Sequence, residues 1–304
     1  MIAELDPTLQ RCPICDSVEL KSFDALASDV EGHSSVHIVE CERCQFAWQY
    51  PLGRSESESV VHFDRNYRAE GKLLSGYFDP VKKSSIAKLE LDFLCRLDLP
   101  GKRLLDIGAG AGIFAQEATG RGFDVVACDP ALELERIDGL PNLRGIRGTL
   151  SDVPSGETFD VITMWDVIEH LAAPLSVIDE AKNRLRDGGW LVLETGNYKS
   201  ADRVGEGKNH WIYQLDHRWY FSPDALESLL LRMGFKEVIH AETVLRPGWS
   251  GEARFRGPSR QGLLRELLTN PMNARGALST FAALKCASTW PRAGLGIFAL
   301  AARA

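Results

Sequence analysis

"LLDIGAGAG", Leu104 to Gly112, is the stretch that decides the fold. The run Leu104-Leu105-Asp106-Ile107 leads straight into glycines at 108, 110 and 112. An apolar run of this kind reads as a buried strand. Glycines at alternate positions let the backbone turn sharply and approach a ligand closely. The next segment, "IFAQEATGRG", reads as a helix whose first amides face that ligand. The spacing is G-x-G-x-G, whereas a dinucleotide fingerprint is G-x-G-x-x-G, and position 113 is Ile.

Two acids narrow the ligand. Asp106 precedes the loop, where a carboxylate repels a pyrophosphate and suits a cationic or amine-bearing group. Asp129 ends the next strand, "FDVVACD", where a carboxylate accepts ribose hydroxyls. Together they favour a nucleoside with an amino group and no phosphate, S-adenosylmethionine (SAM).

Outward from the loop, strand and helix patterns alternate. "RLLDIG", "FDVVACD", "NLRGIRG", "FDVITMW", "WLVLETGN" and "KEVIHAETV" read as strands one to six. "APLSVIDEAKNRLRDGG" reads as a helix closed by its glycine pair. "SPDALESLLLRMGF" reads as a helix with a Ser N-cap and Pro at its first position. "DPVKKSSIAKLELDFLCRLDL" reads as a lead-in helix, and Gly294 to Ala302 as a last strand. The alternation predicts an α/β fold, a doubly wound parallel sheet. The expected organisation is a small unit at 1–50, a connector and lead-in helices at 51–100, and the main domain at 101–304. A helical insertion is expected at about 246–293, over the substrate side or at a subunit contact, with a mobile surface excursion as the competing reading.

The first unit carries Cys12-Pro-Ile-Cys15 and Cys41-Glu-Arg-Cys44. Two C-x-x-C knuckles give the four-thiolate set that structural zinc favours, with no open coordination site. A short segment has little core, so the metal supplies folding energy. "HSSVHIVE" alternates like a strand of a zinc ribbon. A redox pair or unrelated cysteines are the competing readings.

Composition excludes some classes. Net charge is −7, which argues against a nucleic-acid partner bound through phosphates. No apolar stretch is long enough to span a bilayer. "MIAELDPTLQ" shows no secretory signal, so the cytoplasm is the default compartment. Oligomeric state is not legible.

In order, "LLDIGAGAG", "CDP", "GTLSDVP", "FDVITMWDVIEHL", "LRDGGWLVLETGN" and "DHRWYFSPDALESLLLRMGF" resemble the motifs of class I SAM-dependent methyltransferases, over roughly residues 85–245. The resemblance implies a seven-stranded Rossmann-like sheet with an antiparallel last strand inserted by a hairpin. It implies cofactor contacts from Asp106, Gly108, Gly110, Gly112, Asp129, Thr149, Leu150 and Trp165. Thr149 departs from the Asp often found in the adenine loop; either Thr149 makes that contact or Asp152 substitutes. The ribbon joined to this fold resembles bacterial methyltransferases of polysaccharide and secondary-metabolite pathways. That implies a small-molecule or sugar acceptor. RNA or protein methylation guided by the ribbon, and a non-catalytic interaction protein, are the alternatives.

SAM supplies the electrophile, so the protein aligns a nucleophile and takes its proton. "WDVIEHL", Trp165 to Leu171, puts Asp166, Glu169 and His170 at the exposed end of strand four. On a helical turn these positions share a face. The D-x-x-E-H spacing, with His217 as a later histidine, resembles the E-x-x-E-H pattern of metal-dependent RNA 2′-O-methyltransferases and the E-H pair of quinone O-methyltransferases. That implies Mg²⁺ or Mn²⁺ as one role for the set. Direct base or orienting roles for Asp166, His170 and His217 are a second, and a polar helix start is a third. His210 is a weaker candidate. Trp211, Trp219 and Tyr220 line an acceptor pocket or belong to the core.

Overall fold

The computed structural model describes residues 10–27, 35–50, 80–132, 134, 137, 139–241 and 296–304. The connector at 51–79, the end of strand six beyond Ala241, and the expected insertion at 246–293 with Cys286 lie outside them.

Three strands build the N-terminal unit: β1 (Leu20–Leu26), β2 (Ser35–Cys41) and β3 (Ala47–Gln49). They form an antiparallel ribbon. Its far edge is taken by β9 (Trp219–Tyr220), which pairs antiparallel with β3. The ribbon sheet therefore recruits a strand more than 160 residues away, in the order β1-β2-β3-β9.

The lead-in helix α1 covers Pro80–Leu94. After it come β4 (Arg103–Ile107), α2 (Ile113–Gly120), β5 (Asp124–Asp129) and β6 (Leu143–Arg147). Next are β7 (Phe159–Trp165), α3 (Pro174–Asn183), β8 (Leu185–Gly196) and α4 (Ala201–Glu206). The chain continues through β9 to α5 (Pro223–Arg232), β10 (Glu237–His240) and β11 (Ile297–Arg303). The main sheet runs β10-β11-β8-β7-β4-β5-β6. Strands β4 to β8 pair in parallel, and β11 is antiparallel to both neighbours. This is the α/β architecture expected, with its inserted last strand.

Side-chain alternation assigns the two faces of the sheet. Leu104, Val161 and Val192 pack with Leu91, Leu94, Phe114 and Ala118 of α1 and α2. Their neighbours Leu105, Ile162 and Leu191 pack with Ile178 of α3 and Leu229 of α5. The ribbon residues Cys41, Phe46 and Trp48 belong to this second core. The ribbon is thus seated on the sheet's α5 side.

Two element bounds differ from the sequence reading. α3 ends at Asn183, and "RLRDGG" opens β8 instead of closing the helix. Leu185 already pairs with Phe159, and the register then slips before Val161 meets Trp190. Gly188, at φ +76°, lies in that slip. A polar, glycine-rich segment looks like a helix end, yet here it is a bulge that re-enters the sheet. The last strand, expected over Gly294 to Ala302, runs Ile297–Arg303, and Gly294 lies outside the described residues. Ser222 does cap α5, accepting from Ala225 N–H.

Candidate functional site

The chain leaves β4 for β5 and β6 on one side of the sheet, and returns to β7 and β8 on the other. At such a switch point the strand ends diverge and leave a crevice. The glycine loop, Asp129, Trp165 and Asp166 all lie at this carboxyl edge.

Gly108, Gly110 and Gly112 all have positive φ, +74°, +54° and +74°. They differ in what a side chain would meet. A Cβ at Gly108 would lie 2.3 Å from Val167, and one at Gly112 would lie 2.8 Å from Ile137. A Cβ at Gly110 meets nothing within 4 Å among the described residues. Gly110 thus faces open space, and its N–H donates to Asp129 Oδ2 at 3.0 Å. The other oxygen of Asp129 accepts from Ala131 N–H at 2.7 Å. Asp129 is thereby held against the loop by its own neighbours. Each carboxylate oxygen keeps a second lone pair.

Asp106 is buried and accepts from Thr163 Oγ1 at 2.8 Å. Burial pushes its pKa up to about 7, with a smaller push from the charge of Asp129. Trp165 packs its ring on Phe114, with centroids 5.2 Å apart. Its Nε1 is buried and has no hydrogen-bond partner among the described residues. Thr149 precedes the short 3-10 turn Leu150–Asp152. Asp152 folds back on it, accepting from Thr149 N–H at 2.8 Å and Thr149 Oγ1 at 3.2 Å. The Leu150 side chain is in the core.

Asp166 has φ +56°. A non-glycine residue in this left-handed region stores strain of about 1 kcal/mol or more. Its N–H donates to Glu194 O at 3.1 Å, tying the end of β7 to β8. The segment after it is a turn closed by His170 N–H to Val167 O, and the helix begins only at Pro174. The shared-face argument for a helix over 166–170 is therefore corrected: strain at Asp166 and a turn shape this segment.

The turn still gathers a chemical cluster. One ligand-type atom from each of Glu169, His170 and His217 lies within 4.8 Å of the others. Asp166 is not a member of that set. The two imidazoles meet edge-on, with centroids 4.7 Å apart. His217 Nδ1 is 2.8 Å from Ile212 O, and His170 Nδ1 is 3.1 Å from Asp216 O. A carbonyl oxygen only accepts, so each Nδ1 carries a proton, and neutral His217 presents a lone pair at Nε2. Burial, followed by the charge on His170, lowers the His217 pKa to about 4. Burial opposes charge on His170 as well. The carboxylates of Asp216, Glu169 and Asp166 outweigh it and hold His170 above the usual histidine value. Glu169 is buried, and that burial, reinforced by Asp166, raises its pKa to about 7. Its Oε2 has no hydrogen-bond partner among the described residues. Two imidazole nitrogens and one carboxylate oxygen form a donor set that fits a divalent cation.

Sequence reasoning missed Asp216, buried with Oδ2 3.5 Å from His170 Nδ1. It sits beside His217 in "QLDHRW", and that adjacency was the available signal. His210 is not part of the cluster: its Nδ1 accepts from Ile212 N–H at 3.3 Å, a local structural bond. Trp219 and Tyr220 are buried in the β3–β9 pairing and belong to the core.

In the ribbon, Cys12 Sγ lies 3.4 Å from Cys44 Sγ, and Cys15 Sγ lies 3.6 Å from Cys41 Sγ. Tetrahedral Zn–S bonds of about 2.3 Å place sulfurs roughly 3.8 Å apart. All four sulfurs lie within 4.8 Å of one another, so the set fits zinc. The thiols are free. The hydrogen bond from Cys44 lowers the Cys12 pKa to about 5.

Residues 82–241 match the family described as Methyltransferase domain. Among curated proteins, the ubiquinone biosynthesis O-methyltransferase of Dinoroseobacter shibae is 32% identical over 246 residues. The match covers 76% of this chain and 87% of that protein. The protein of the same description from Cereibacter sphaeroides is 29% identical over 187 residues, covering 57% and 76%. Among solved structures, a SAM-dependent methyltransferase from Archaeoglobus fulgidus matches with TM-score 0.50 and 17% identity. It covers 78% of this chain and 99% of that one, a likeness of fold. The family match spans half the chain, and the Dinoroseobacter relative is covered over 87% of its length, so this chain belongs to the family of this methyltransferase domain.

Proposed function

We propose that the chain transfers the methyl group of SAM to a hydroxyl oxygen of a small molecule. The observation that carries this is the convergence of Glu169, His170 and His217 beside the switch-point crevice, with the Nε2 lone pair of neutral His217 presented. The relatives are named O-methyltransferases, which favours oxygen over nitrogen or carbon.

On this reading Asp129 holds the ribose hydroxyls and the Gly110 backbone admits the cofactor. Asp106 faces its cationic end, and Trp165, Thr149 and Leu150 border the adenosine. Methyl transfer is an in-line displacement: the acceptor oxygen forms the new bond to carbon as the sulfonium bond breaks. The acceptor loses its hydroxyl proton. Neutral His217 is the group suited to receive it at Nε2, and His170 and Glu169 orient the hydroxyl. A divalent Mg²⁺ or Mn²⁺ held by Glu169, His170 and His217 would lower the pKa of a bound hydroxyl. The four cysteines hold structural zinc and do not touch the reacting atoms.

The test is turnover after EDTA treatment and Mg²⁺ or Mn²⁺ add-back, using protein whose ribbon zinc stays loaded. Loss of activity in His217→Ala is expected with or without added metal. Restoration of the EDTA-treated wild type by metal assigns the cluster as a cation site, and metal-independent turnover leaves it the base role. Full activity in both His170→Ala and His217→Ala contradicts the reading.

A further inference from the structure

Gln49, the last residue of β3, is buried. Its Nε2 donates to Gln214 O at 2.5 Å and to Tyr220 Oη at 3.3 Å. Its own N–H donates to Arg218 O at 3.0 Å. One ribbon residue thereby grips the chain at 214, 218 and 220, on both sides of His217.

The grip continues into the cluster. The N–H groups of Arg218 and Trp219 both donate to Glu169 O, at 2.8 and 3.3 Å. Trp219 Nε1 donates to Leu171 O at 2.7 Å, and its ring stacks on Phe46 at 6.3 Å. Phe46 lies two residues past Cys44, and its carbonyl accepts from Cys41 N–H at 2.9 Å. An unbroken run of contacts therefore joins the cysteine knuckle to Glu169, His170 and His217. The glycine loop and Asp129 are not in it.

We infer that Gln49 is a positioning residue for His217, and that the four-cysteine ribbon sets the acceptor-side geometry through it. The inference rests on the reading of Glu169, His170 and His217 as the acceptor-side set. Residues 214–218 lie in turns and loop, and Gln49 clamps them from the ribbon side. Without the clamp the backbone that supplies Ile212 O and carries His217 gains freedom, and the Nε2 lone pair loses its fixed direction. A misplacement of about 1 Å costs on the order of a hundredfold in rate.

The variants are Gln49→Ala and Gln49→Met, the second keeping the side-chain volume while removing the donor. Each is measured for zinc content, SAM affinity by calorimetry, amide exchange over 214–221, and the His217 tautomer by imidazole ¹⁵N NMR. Zinc content and SAM Kd are expected to stay at wild-type values. Arg218 and Trp219 amides should exchange about tenfold faster, the effect of losing one or two hydrogen bonds. His217 should lose its single Nδ1–H tautomer. Chelating zinc from the wild type should reproduce the exchange pattern. Unchanged exchange and tautomer in Gln49→Met overturn the inference, as does SAM affinity falling in parallel. The two readings fail separately: an inert clamp with inactive His217→Ala removes this inference alone. A working clamp with fully active His217→Ala removes the acceptor-side reading alone.

Discussion

Replacing Gly110 with alanine adds one methyl group at φ +54°, where it meets no described atom within 4 Å. The fold should pay only the left-handed backbone cost, about 1–2 kcal/mol. For a domain of this size that is a fall in Tm of a few degrees, roughly 2–4 °C per kcal/mol. The same methyl occupies the approach to the Asp129 carboxylate that Gly110 N–H contacts at 3.0 Å. SAM affinity should therefore fall more than about tenfold, a loss above about 1.4 kcal/mol. Gly108→Ala is the contrast. Its Cβ would stand 2.3 Å from Val167 Cγ2 at φ +74°, adding overpacking of about 1–3 kcal/mol to the backbone cost. Gly108→Ala should unfold at the lower temperature of the two. Calorimetric titration with SAM and scanning calorimetry on both variants read the difference. Wild-type SAM affinity in Gly110→Ala would refute the placement of the cofactor over this glycine.

Asp129→Ala should weaken SAM binding more than tenfold, since charge-assisted hydrogen bonds are worth about 1.5–3 kcal/mol each; unchanged affinity by calorimetry sinks the ribose assignment. Asp106 gives a pH signature. Its folded pKa, about 7, lies above the unfolded value of 3.8, so the folded state holds a proton the unfolded chain has released. Its contribution to stability therefore falls as pH rises from about 4 to 7 and is flat above that. Cationic SAM should favour the ionised form, so binding near pH 6.5 should release a proton that Asp106→Asn does not; calorimetry in two buffers of different ionisation enthalpy reads it. Elemental analysis should find one zinc per chain, and chelation should loosen the ribbon while the glycine loop stays folded. A zinc-free protein with a Cys12–Cys15 disulfide would instead support the redox reading.

What was legible in the sequence was what local pattern determines. β7 spans the stretch read as a strand, because Phe159 to Trp165 is a mostly apolar run buried on both faces of the sheet, with Asp160 and Thr163 its polar members. Ser222 was read as a cap from its place before Pro223. Contacts across long sequence separation were not legible. The two residues of β9, Trp219 and Tyr220, favour strands but are too few to read as one; their pairing with β3 depends on where the ribbon docks. The convergence of Glu169, His170 and His217 was anticipated from residue types, but through a helix that does not form. Asp166, grouped with them in the sequence, lies outside the close set, at a positive φ of +56°, while its charge still acts on Glu169, His170 and His217. The bulge at Gly188 escaped because glycine pairs close helices as readily as they kink strands.

The central claim, methyl transfer from SAM to oxygen, is tested most directly by supplying ¹³C-methyl SAM with separated small-molecule, RNA and protein fractions of a cell extract. The ¹³C spectrum of whatever becomes labelled reports the atom that received the methyl group. The account predicts label confined to the small-molecule fraction, in an O-methyl resonance. Label in RNA or protein, or a small-molecule product methylated on nitrogen or carbon, would contradict it.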